Sequence, residues 1–237
     1  MASGHRRAPW WAVIASGLAG ALVAVLALVG FGQPTVRPAT AERAAVSTAA
    51  PAPPSVTFIG DSWTEGIGAT KLRGYAVLTA EKLGWNYTVL GVGGSGYVAL
   101  GRGSTFADRI DQAVRTHPDV IVVQGGLNER HTPLAVLAPA ALATLRGLRA
   151  AADPGTEILV LGASYTPGID EGVIHAVNTT VSAAATTVGL PFVDPAAENW
   201  TDPADPTIWH DWLHPNDRGH QLVADHLAAL LKATLDR

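Results

Sequence analysis

From Ser55 onward, short runs of branched apolar residues alternate with longer amphipathic stretches, and this alternation constrains the fold more than any other feature of the chain. The runs are Val56–Ile59, Tyr87–Val92, Val120–Val123, Ile158–Leu161 and Phe192–Val193. Near-continuous apolar runs of this length match strands buried on both faces of a parallel sheet. Helices are expected between them over Lys71–Leu83, Phe106–Thr116, Leu134–Ala151 and Gly172–Val188, and a last one over about Asp217–Leu235. Pro118 and Pro191 stand just before strands, where a helix has already ended. The pattern predicts an α/β fold with a parallel sheet and right-handed crossovers. In such a sheet the functional site lies beyond the carboxyl ends of the strands.

The first 54 residues do not follow this pattern. His5, Arg6 and Arg7 precede an uncharged stretch from Ala8 to Phe31, long enough to cross a bilayer. Residues 1–32 are therefore expected to be a membrane anchor or a signal segment. Ala39-Thr40-Ala41 resembles a cleavage site, so a secreted form is the alternative to an anchored one. Arg6 and Arg7 would stay in the cytoplasm and place the rest outside. Residues 33–54 hold Pro34, Pro38, Pro51, Pro53 and Pro54 among many alanines, the composition of an extended linker. The folded domain is expected over 55–237. With 48% hydrophobic and 15% charged residues the chain has enough apolar material for a core. A net charge of −4 without a basic cluster argues against nucleic acid as a partner, and the lack of cysteine excludes disulfides and thiolate chemistry.

Four motifs fall at strand ends or in the last loop. Gly60-Asp61-Ser62-Trp63 follows the first strand. A serine at such a turn is exposed and can use a helix N-terminus to stabilise negative charge, although Asp and Ser are also ordinary helix caps. Gly91-Val92-Gly93-Gly94-Ser95-Gly96 follows the second strand. Its glycines can present N–H groups to an oxyanion, and it lacks the Lys-Ser/Thr ending of a phosphate loop. Gly125-Gly126-Leu127-Asn128-Glu129 follows the third strand and offers either a side-chain amide donor or a plain turn. In Asp211-Trp212-Leu213-His214-Pro215 the carboxylate can orient the imidazole as a general base. A surface loop, or a metal held by His210 and His214, are the alternatives. Pro215 opposes the helix that a metal pair at that spacing needs.

Taken in order, these blocks resemble the SGNH (GDSL-like) hydrolase family, and the resemblance covers residues 55–237. It implies a flavodoxin-like three-layer α/β/α sandwich with a five-stranded parallel sheet. It matches Ser62 to the nucleophile, with its own N–H, Gly94 and Asn128 as oxyanion donors, and Asp211 and His214 as the rest of a triad. It implies a carboxylic ester hydrolase on small-molecule, lipid or glycan esters, needing no metal or organic cofactor. Deacetylation or acyl transfer on cell-envelope carbohydrate, and a catalytically silent binding module, are the alternatives. Two departures stand out: Glu129 replaces the family's frequent Asp, outside the core chemistry, and no asparagine precedes the second block's glycine.

Other residues near these motifs carry two readings each. Ser164 and Tyr165, after the fourth strand, would line a cleft or a simple loop. Trp200, Trp209 and Trp212 would cover core or wall an acyl pocket. Between Asp194 and Asp217 lie six acidic residues and no Lys or Arg, the composition of a solvated loop or of a calcium site.

Overall fold

A computed structural model of the chain describes residues 52–235; the expected N-terminal segment and all but the last residues of the linker lie outside them. Five parallel strands form one sheet: β1 (Ser55–Gly60), β2 (Asn86–Gly91), β3 (Val120–Gln124), β4 (Glu157–Leu161) and β5 (Phe192–Val193). Their order is β2-β1-β3-β4-β5, the flavodoxin-like order, as the resemblance implied. The helices are α1 (Ser62–Glu65), α2 (Tyr75–Leu83), α3 (Ile110–Val114), α4 (Leu134–Ala151), α5 (Glu171–Val188) and α6 (Asp217–Leu235).

Alternation along each strand builds two cores. Val56 and Phe58 of β1, with Val120 and Val122 of β3, pack under α2 and α6. Ile59, Ile121 and Val123 face the other way, onto Ala113 of α3 and onto α4 and α5. In α4 the residues Leu137, Ala141, Leu145 and Leu148 recur at helical spacing and are fully buried. Each buried leucine of this kind contributes about 2 kcal/mol of transfer free energy. α4 is long and apolar enough to cross a membrane, but this face is packed against the sheet.

Two helices depart from expectation. α2 starts at Tyr75 rather than Lys71, because Lys71 and Leu72 take left-handed φ of 56° and Gly74 caps the helix. The helix expected over Phe106–Thr116 is a short 3-10 turn, Ala107–Arg109, followed by α3. The break falls at Arg109 (φ −107°, ψ 3°), whose side chain turns into the protein.

The strands end level. Gly60 pairs with Gly91 on one side and Gln124 on the other, and Gln124 pairs with Leu161. The loops after β1, β2, β3 and β4 therefore leave from one edge, and the four sequence motifs meet there.

Candidate active site

Ser62 is the first residue of α1, one step beyond β1. Asp61 caps the helix: its Oδ1 accepts from Trp63 N–H at 2.9 Å. The turn from strand to helix is tight. A Cβ on Gly60 would lie 2.0 Å from Thr64 Oγ1, so only glycine fits there. Thr64 in turn donates to Gln124 Oε1 at 2.9 Å and shares a hydrogen bond with Tyr75 OH. As the opening residue of a helix, Ser62 has an N–H without an intrahelical acceptor.

The last loop brings His214 to this serine. His214 Nε2 lies 3.0 Å from Ser62 Oγ, and its Nδ1 lies 2.9 Å from Asp211 Oδ2. The same carboxylate accepts from Leu213 N–H and His214 N–H through Oδ1, each at 2.7 Å. The loop is closed at its base by a Trp209–Pro215 bridge and by Asn216 N–H donating to Ile208 O. Trp63 Nε1 donates to Leu213 O at 3.1 Å and ties the loop to α1. Partial burial would raise the Asp211 pKa, but hydrogen bonds from the His214 ring and from two backbone amides outweigh it and hold the carboxyl below the usual range. His210 takes part in the loop through its backbone. Its backbone N–H closes the loop onto His214 O, and among the described residues no three His, Asp or Glu side chains gather as a metal would need.

The second and third blocks meet opposite Ser62. Gly93 N–H donates to Glu65 Oε2 at 2.7 Å, and a Cβ on Gly93 would sit 3.8 Å from Ser62 Cβ. Gly94, with φ +78°, has an N–H with no hydrogen-bond partner among the described residues. Asn128 gives one amide hydrogen to Ser95 O at 2.9 Å and keeps the other. Ser62 N–H, Gly94 N–H and the Asn128 amide thus remain as donors on three adjoining loops.

A family model described as GDSL-like lipase/acylhydrolase matches residues 58–222, more than half of the chain. The chain belongs to this family. It is similar to the GDSL lipase Rv0518 of Mycobacterium tuberculosis, with 29% identity over 191 residues, or 76% of this chain and 82% of that protein. Among solved structures it resembles a family two carbohydrate esterase from Clostridium thermocellum in complex with cellohexaose. That match has 20% identity and a TM-score of 0.64, covering 79% of this chain and 67% of the other. It also resembles Est24, a carbohydrate acetylesterase from Sinorhizobium meliloti, with 15% identity and a TM-score of 0.59 over 76% and 99% of the two chains. At these identities the two structures speak for the fold.

Around this GDSL-like site lie residues whose burial and partners the sequence did not foretell. Glu65 holds Gly93 and pairs with Arg102 at 2.6 Å. Glu129 is fully buried, and its Oε1 accepts from Val98 N–H and Ala99 N–H at 3.1 and 3.0 Å. Arg109 is buried and donates to Ser95 Oγ at 2.9 Å. Nothing in the local pattern marks Arg109 or Glu129 as internal, since each sits in a turn rich in polar residues. Their burial follows from how distant loops fold over them. Asp61 is wholly buried with Oδ2 unpartnered; burial pushes its pKa up to about 7, Trp63 N–H and Arg109 oppose the rise, and Glu129 adds to it.

The remaining expectations divide. Trp200 is buried and stacks on His226, and Trp209 meets Trp63 edge-on, so both cover core. Trp212 is exposed on the base loop and lies over Gly168, where a Cβ would come 2.0 Å from its ring. Ser164 is buried. Tyr165 borders a cavity of about 500 Å³ with Glu171, Asn199, Thr201 and Asp202. The acidic residues from Asp194 to Asp217 are engaged one by one in hydrogen bonds, Asp205 with nearby Thr207 and Asp217 with distant Thr70.

Proposed function

We propose that the chain is an extracytoplasmic serine ester hydrolase that works through an acyl-enzyme on Ser62. The observation that carries this reading is the unbroken hydrogen-bond line from Ser62 Oγ through the His214 ring to Asp211. In the first step His214 Nε2 takes the Ser62 proton while Oγ bonds to the ester carbonyl carbon. The electron pair displaced onto the carbonyl oxygen is met by Ser62 N–H, Gly94 N–H and the Asn128 amide. Collapse breaks the bond to the alcohol, which leaves with the proton held by His214. Water then repeats the sequence against the acyl group and frees the acid. Asp211 keeps the imidazole in the tautomer that accepts at Nε2 and stabilises its charged form. No metal or cofactor enters this scheme.

A second reading, deacetylation or acyl transfer on cell-envelope carbohydrate, is favoured by one feature. The cavity bordered by Tyr165 carries Glu171, Asn199, Thr201 and Asp202 among its lining, beside Pro203 and Ala204. That lining suits sugar hydroxyls, and carbohydrate esterases stand among the similar structures. The extracytoplasmic placement rests on Arg6 and Arg7 before the uncharged stretch from Ala8 to Phe31.

One experiment addresses chemistry and location together. A membrane-impermeant fluorophosphonate added to intact cells should label the chain at Ser62 alone, and Ser62→Ala should be neither labelled nor active while remaining folded. Near-normal turnover by that variant would end the serine mechanism. Labelling only after lysis would end the outside placement. Turnover of p-nitrophenyl esters of several chain lengths beside acetylated glycans separates the two substrate readings.

A further inference from the structure

Ser95 lies in the second motif, is fully buried, and has no part in the scheme above. Its N–H and its hydroxyl both reach Val92 O, at 3.1 and 2.7 Å. This closes a four-residue turn whose two central residues are Gly93 and Gly94. The left-handed φ of Gly94 at the third position is what a type II turn requires. The turn is thereby locked twice, and the Gly94 N–H is fixed within it. Arg109 Nη2 donates to Ser95 Oγ at 2.9 Å. A guanidinium can only donate, so the Ser95 hydroxyl must accept there and send its own hydrogen to a carbonyl, Val92 O being nearer than Gly60 O at 3.3 Å. At its other end Ser95 O accepts from Asn128 Nδ2 at 2.9 Å, which sets the amide plane and aims the second amide hydrogen. There is no slack for the segment to shift: a Cβ on Gly101 would lie 2.1 Å from Ser95 N.

We infer that Ser95, clamped by Arg109, is a positioning residue that fixes two of the three oxyanion donors, Gly94 N–H and the Asn128 amide, at once. The inference rests on the serine hydrolase reading and adds to it the device that preorganises the anion pocket. Arg109 suits the task because its guanidinium is held in the interior over the Phe106 ring, whose centroid is 5.4 Å away. Its Nε and Nη1 have no partners within the described residues, so the Ser95 bond is the one that orients it.

The test compares an ordinary ester with its thionoester, in which sulfur replaces the carbonyl oxygen. A preorganised anion pocket favours oxygen, and a merely structural residue would leave that preference unchanged. With the purified full chain, Ser95→Ala should lower kcat on p-nitrophenyl acetate roughly 10- to 100-fold, somewhat less than outright loss of a donor elsewhere. KM should change little, and the preference for oxygen over sulfur should shrink by a similar factor. Arg109→Met should act alike, and Arg109→Lys, which keeps a charged donor, should recover part of the preference. Should Ser95→Ala not accumulate as folded protein, the Arg109 pair carries the same ratio. Variants that lose thermal stability yet keep the wild-type preference overturn the inference while leaving the mechanism standing. A wild-type chain whose Ser62 is not labelled by the phosphonate removes both.

Discussion

Asp211 and Asp61 both belong to motifs that meet at Ser62, yet their surroundings are opposite. Asp211 sits on an open loop with its side chain 39% exposed, and all its bonds are to residues two and three positions ahead. Asp61 has no exposure, and it shares its interior with Arg109 and Glu129 from loops far along the chain. In the first cluster, short-range geometry holds the proposed acid–base pair at the surface. In the second, long-range packing holds polar groups that touch no substrate but keep the donor loops in place. The difference teaches that a catalytic constellation can be local and solvent-facing only because its counterpart is buried and rigid.

The largest effect should come from the open cluster and should leave stability nearly untouched. Asp211→Asn keeps an oxygen for Leu213 N–H and His214 N–H but turns an amide donor toward His214 Nδ1. The ring then loses its acceptor and the tautomer that accepts at Nε2. We expect kcat on a simple ester to fall about 10³- to 10⁴-fold, with KM little changed. The melting temperature should hardly move, since the Asp211 side chain is 39% exposed and the amide oxygen still accepts from both backbone N–H groups. A large stability loss with modest kinetic loss would invert the comparison.

The buried cluster should respond in the reverse sense. Glu129→Ala strands two backbone amides, Val98 N–H and Ala99 N–H, away from water, at a cost of about 3 kcal/mol. Glu129→Gln retains an oxygen where Oε1 now accepts, and its cost should stay under about 1 kcal/mol. Urea denaturation of the two variants measures both. Equal losses would mean that the charge of Glu129, not its acceptor, is what the fold uses.

This contrast also explains what could be read in advance. Strands and base loop are written in local pattern: branched runs at strand spacing, and a histidine three residues after an aspartate and before a proline. Ser62, Asp211 and His214 therefore stood out, and Gly94 and Asn128 followed from block order. The helix expected from Lys71 starts late and the one expected over Phe106–Thr116 breaks at Arg109, where the backbone answers to tertiary packing. Glu129 stood out only as a departure from the family's frequent Asp, and its burial was invisible, because a carboxylate in a turn looks solvated until the loop of residues 96–99 closes on it. Arg109, Ser95 and Glu65 were missed for the same reason: their partners lie 14 to 33 residues away or more.

Asp61 gives the smallest and most specific test of the buried side. Its carboxyl keeps a proton up to about 7 in the folded chain and releases it near the ordinary value of 3.8 when unfolded. Between those values the folded state binds a proton that the unfolded state does not, so stability must fall as pH rises through the window and level off above it. From pH 5.5 to 7.5 this group alone should remove about 2 kcal/mol. Asp61→Asn carries no such proton, and its amide oxygen still caps Trp63 N–H. Denaturation midpoints of the wild type and Asp61→Asn should therefore diverge as pH rises, with the variant losing less. Glu129→Gln removes the neighbouring negative charge that helps to hold the proton on Asp61, so its pH-dependent loss should level off at lower pH and be smaller than in the wild type. Parallel profiles for all three proteins would mean that Asp61 is already ionised inside the fold, and that Arg109 neutralises it more completely than its burial resists. In that case the two aspartates differ in exposure alone and not in charge.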